Sequence, residues 1–80
     1  MQGNRAKDTK GVLKEIIYKR FDSESAMARA LGWPRQRLNK ITKGLREPSL
    51  HEVGAMANAL SMSFEKMAYI FLPESHHMSN

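Results

Sequence analysis

The sequence predicts an all-α fold of five short helices, and three observations carry that reading. Apolar residues recur at gaps of three and four along the chain, the spacing of one helix face. Ser, Gly and Pro fall where such helices start and stop. No stretch alternates apolar and polar residues as a half-buried strand does, and no internal repeat is present.

Residues 1–10 are polar and read as a flexible arm. From Gly11, the residues Val12, Leu13, Ile16, Ile17 and Phe21 mark the buried face of a first amphipathic helix, with Lys14, Glu15, Lys19 and Arg20 between them. Asp22-Ser23 interrupts it, and Ser23 is a good N-cap for a second helix carrying Met27, Ala28 and Leu31. Gly32 stops that helix in the left-handed region. Pro34 suits the first turn of a third helix, where a missing N–H costs nothing, and it holds Trp33 extended. Leu38 and Ile41 give the third helix its apolar side to about Lys43, and Gly44 ends it. Residues 45–48 form a loop. Ser49 with Glu52 three residues later is a capping box. It opens a fourth helix with Leu50, Val53, Met56, Ala57 and Leu60 on one face. Ser63 caps a fifth helix from Phe64 to Leu72, which Pro73 ends, and residues 73–80 read as a disordered tail.

Eighty residues make one small domain, here residues 11–72, which excludes an enzyme with separate cofactor and substrate domains. The absence of cysteine removes disulfides, thiolate zinc sites and cysteine nucleophiles, and it fits a reducing cytoplasm. No apolar stretch is long enough to span a membrane, and the start Met1-Gln2-Gly3-Asn4-Arg5 lacks the apolar run of a secretory signal. There is no phosphate-binding glycine loop, zinc-binding helix motif or triad, so no catalytic residue and no cofactor is expected. His76-His77 has no cysteine or aspartate nearby, so no metal site is expected either. Met27, Met56, Met62 and Met67 read as core filler, and Trp33 as core or its rim.

The charge is concentrated. The net charge is +5, yet residues 25–46 carry Arg29, Arg35, Arg37, Lys40, Lys43 and Arg46 without one acid. From residue 47 onward Lys66 stands alone against Glu47, Glu52, Glu65 and Glu74. Solvated helix faces usually mix signs, so an acid-free segment points to an anionic partner. That segment coincides with two helices joined by a tight glycine turn, the plan of a helix-turn-helix. The close crossing needs a small residue, and Ala28 supplies it four residues before Gly32.

Residues 23–60 resemble the lambda-repressor-like or Cro-like helix-turn-helix domain of phage and bacterial regulators, including those of the xenobiotic response element type. The resemblance rests on Met27-Ala28, Gly32, Gly44, Arg46-Glu47-Pro48-Ser49 and Ala57-Asn58-Ala59-Leu60. It implies a five-helix fold, sequence-specific binding of duplex DNA and a homodimer on a palindromic operator, with repression by promoter occupancy. By the same resemblance, Arg35, Gln36, Lys40 and Asn39 contact base edges, while Arg37, Lys43 and Arg46 contact phosphates. The fifth helix is the candidate dimer surface, through Tyr69, Phe71 and Leu72. Three positions depart from the family pattern. Glu24 replaces a Gln that touches a phosphate and braces the recognition helix, and an acid there repels a phosphate. Thr42 replaces a Glu, and Pro34 replaces a Ser or Thr. A similar Pro-Arg pair occurs in antitoxins that share the domain, which adds a toxin to the candidate partners. A protein-interaction module without DNA contact is the alternative from another class.

Overall fold

The computed structural model describes residues 9–72, which form five helices and, among the described residues, no strand. In chain order these are α1 (Thr9–Arg20), α2 (Glu24–Leu31), α3 (Arg35–Thr42), α4 (Leu50–Ala59) and α5 (Phe64–Phe71). All five match helices expected from periodicity and caps, with small shifts. Helix α1 begins at Thr9, inside the segment read as an arm. Helix α3 ends at Thr42, and Pro34 sits one position before it as its N-cap rather than in its first turn. Residues 1–8 and 73–80, and with them most of the arm, the tail, Pro73 and His76-His77, lie outside the described residues.

Serine starts three of these helices. Ser23, Ser49 and Ser63 each accept a hydrogen bond from the backbone N–H three residues on, at Ala26, Glu52 and Lys66. At Ser49 the box closes, because the Ser49 N–H donates 2.9 Å to Glu52 Oε1. Left-handed residues stop α2 and α3. Gly32 lies at φ 76° and Gly44 at φ 77°, and the next N–H in each case reaches back to a carbonyl of the last turn. Trp33 donates to Ala28 at 2.9 Å and Leu45 to Lys40 at 2.9 Å.

The apolar faces meet in one core. Leu13 and Ile17 come from α1, Met27 and Ala28 from α2, Leu38 and Ile41 from α3, Val53, Met56 and Ala57 from α4, and Met67 from α5. Each fully buried Leu, Ile or Met among them contributes about 1.5–3 kcal/mol of transfer free energy. Met27, Met56 and Met67 are fully buried and Met62 is partly buried against them, as filler should be. Leu50, expected on the buried face of α4, is 76% exposed. It occupies the first position of the helix, beyond the edge of the core. Val12 is likewise turned out at 43%. Helix α2 packs on α3, α4 and α1, so the helix-turn-helix pair is braced from behind. Arg20, at the end of α1, donates from Nε to the Ala59 carbonyl at 3.2 Å. It thereby brings a cation to the C-terminus of α4, whose own last turn has none.

Candidate nucleic-acid interface

Helix α3 is divided into two sides. Leu38, Ile41 and Thr42 are buried, whereas Arg35, Gln36, Lys40 and Lys43 are exposed. Gln36, Lys40 and Lys43 follow one another at spacings of four and three, so they form one outward stripe with Arg35 beside its start. These are long donors with no carboxylate bonded to them among the described residues. Arg35 and Gln36 have the chemistry to grip a guanine and an adenine edge respectively with paired bonds.

The other three predicted site residues are held by partners. Asn39 is half-buried and donates from Nδ2 to Glu24 Oε1 at 3.0 Å. Arg37 donates from Nε to Glu52 Oε2 at 2.7 Å, and Arg46 donates from Nη2 to the same oxygen at 2.6 Å. Arg37 also lies over the Trp33 ring, 4.3 Å from its centroid, in a cation–π contact. Trp33 itself is partly buried against the core, as read from its place at a turn. Pro34, Gln36, Arg37, Lys40 and Arg46 together line a shallow recess of about 290 Å³ beside the start of α3. Lys43 stands apart from it, one turn farther along.

Glu52 is the centre of this arrangement, although its sequence signal announced only a cap. The residue is 4% exposed, and a buried carboxylate needs partners for both oxygens. Oε1 takes the Ser49 N–H, while Oε2 takes the two guanidinium groups. The Arg46 hydrogen bond, together with those from the Ser49 N–H and Arg37, outweighs burial and holds the carboxyl down at about 2, well below the ordinary carboxylate range. The same bond raises the pKa of Arg46.

Glu24, the acid expected to repel a phosphate, points instead into the α2–α3 contact. It is 8% exposed. Asn39 Nδ2 donates to its Oε1, and Thr42 Oγ1 donates to its Oε2 at 3.0 Å. Two departures from the family pattern, Glu24 and Thr42, are therefore partners in one hydrogen-bonded unit. That unit ties α3 to α2 through side chains.

Of the dimer candidates, Tyr69 is 51% and Leu72 37% exposed, while Phe71 is half-buried against the core. An apolar groove of about 450 Å³ runs beside them, lined by Val12, Ile16, Met62, Glu65, Lys66, Tyr69 and Ile70. Among the described residues no cluster of His, Asp or Glu could hold a metal ion. No helix there is long and apolar enough to cross a membrane.

A family model described as helix-turn-helix matches residues 23–67, more than half of the chain. Comparison with curated proteins and with solved structures gives no match.

Proposed function

We infer the function from one premise: this chain belongs to the helix-turn-helix family, of the lambda-repressor and Cro-like kind. That membership makes it a DNA-binding regulator in general. We propose that it recognises a specific palindromic duplex as a homodimer and represses by occupying a promoter. The observation that carries the reading is the two-sided α3, with Leu38 and Ile41 anchoring it and Arg35, Gln36, Lys40 and Lys43 turned outward. Arg35, Gln36 and Lys40 read base edges from the N-terminal half of the helix. Asn39 takes part through the unit it forms with Glu24. Lys43, Arg37 and Arg46 hold phosphates, which set the docking register.

Selection of duplexes from a random pool tests this. Enrichment of a two-fold symmetric sequence is the expected outcome, and a pool that stays random would overturn it. The single tryptophan lies beneath Arg37 at the start of α3, so its emission should change as the selected duplex is titrated. Affinity should also fall steeply with salt, by about 0.9 in the slope of log K for each neutralised phosphate.

A second reading, an antitoxin with the same domain, is favoured by the Pro34-Arg35 pair and by the exposed apolar groove between α1 and α5. Purification from its own host with a second, toxic protein attached would select that reading over the simple repressor.

A further inference from the structure

Glu52 lies behind the proposed DNA-facing surface, and elementary electrostatics gives it the wrong sign for that place. An acid beside a polyanion weakens binding, and removing it should help. Its geometry points the other way. One oxygen, Oε2, is shared by Arg37 from α3 and Arg46 from the α3–α4 loop, two residues that no backbone bond brings together. Both arginine side chains are 38% exposed while the Glu52 side chain is 5% exposed, so the acid is inside and the two bases are at the surface. One negative charge cannot neutralise two positive ones. Each fork spends one N–H on Oε2, and Arg46 Nη1 also reaches the Glu47 carbonyl at 3.3 Å. Each guanidinium keeps further donors, and both arginines line the recess with Gln36 and Lys40. The Trp33 ring limits Arg37 from a further side.

We propose that the recess bounded by Pro34, Gln36, Arg37, Lys40 and Arg46 is a subsite for one backbone phosphate of duplex DNA, and that Glu52 is the positioning residue that builds it. The proposal rests on the DNA-binding reading and specifies how that binding is arranged. Glu52 touches no DNA. It fixes two flexible arginines before the encounter, so their rotamer freedom is not lost on binding. The net positive charge of the cluster attracts the phosphate, and the paired forks supply directed donors.

The test is titration of the selected duplex and of a scrambled duplex across a salt series, with wild type, Glu52→Gln and the double variant Arg37→Lys/Arg46→Lys. Melting curves fix a temperature at which each is folded. Glu52→Gln keeps an acceptor for the Ser49 N–H and removes an acid, yet it should bind both duplexes about tenfold more weakly. Its base preference should be unchanged, and its salt slope should be shallower by about 0.9, the share of the one phosphate held in the recess. Arg37→Lys/Arg46→Lys conserves charge but lacks the fork, and it should be weakened alike on both duplexes. Binding by Glu52→Gln that equals or exceeds wild type overturns the proposal. So does an altered base preference, which would place Glu52 in readout. If Glu52→Gln does not fold, undiminished binding by the lysine variant overturns it alone. Wild type that binds neither duplex is a different failure, because it removes the DNA-binding reading beneath.

Discussion

Protonating Glu52 removes the charge on which Arg37 and Arg46 converge, and the pH at which this happens follows from its environment. The folded-state pKa is near 2 against an ordinary 4.5. The stabilisation is therefore fully present above about pH 4.5 and is lost as pH falls from there towards 2. With water reaching both arginines, it is on the order of 2 kcal/mol. Melting temperatures measured across pH 2–7 should show wild type and Glu52→Gln converging in that acid window and separated above it; parallel curves would refute the assignment. Two surface residues divide by role at the same scale. Arg35→Ala should relax preference at one base position by about 1–3 kcal/mol, whereas Lys43→Ala should weaken all duplexes alike. Selection repeated with each variant reads the difference, and an unchanged operator with Arg35→Ala removes that residue from base readout. Such outward residues were legible in the sequence, because helical spacing alone separates Gln36, Lys40 and Lys43 from Leu38 and Ile41. The partners of Glu52 were not. Its capping box is a three-residue signal, while its bond to Arg37 spans 15 positions. The Glu24–Thr42 pair spans 18, and it was visible only as two unexplained departures.

The helix stops offer a comparison at the scale of the element. Helices α2, α3 and α4 all end on a left-handed residue, but the third is Ser61 at φ 57°. The Met62 N–H closes that turn on the Ala57 carbonyl at 2.8 Å, as Trp33 and Leu45 do after the two glycines. A side chain in this region costs about 1–2 kcal/mol, partly offset by the greater freedom glycine has when unfolded. Ser61→Gly should therefore stabilise the domain by about 0.5–1 kcal/mol. Gly32→Ala should destabilise it by about 0.5–1 kcal/mol, backbone strain less the same offset, since an added Cβ meets nothing within 4 Å. Gly54 is the opposite case. It lies inside α4, and a Cβ there would meet the Phe64 ring at 3.8 Å, an ordinary contact. Gly54→Ala should gain about 0.5–1 kcal/mol of helix propensity. Denaturant midpoints of the three variants check the set, and a gain from Gly32→Ala or a loss from Gly54→Ala would contradict this account. The glycine stops could be read directly from the sequence. Ser61 could not, because serine signals helix starts rather than left-handed stops.

For the whole molecule the arrangement of faces bears on how the proposed sequence-specific binding would be reached. One recognition helix covers too few base pairs to select a site against a genome. Two copies on a two-fold axis would place their α3 helices one turn of DNA apart, roughly 34 Å. That requires a pairing surface away from α3. Helix α5 packs on α4 and α1 but not on α3, and it carries Tyr69 and Leu72 exposed beside the apolar groove that includes Val12 and Ile16. Phe71 is half-buried against the core beside them. Tyr69→Glu places a charge on the strip at a half-exposed position, so it should alter the melting of the dilute monomer by less than about 1 kcal/mol. Burying that charge between two copies without a partner should cost several times more and split the dimer. Sedimentation equilibrium should then show wild type adding twice the monomer mass of 9.1 kDa to that of the selected duplex, and Tyr69→Glu free in solution at the monomer mass. The variant should bind a duplex carrying one half-site as well as wild type does, and should lose the advantage of the second half-site. A wild-type monomer both free and on DNA would refute the dimer, and the specificity of α3 would then have to come from one copy.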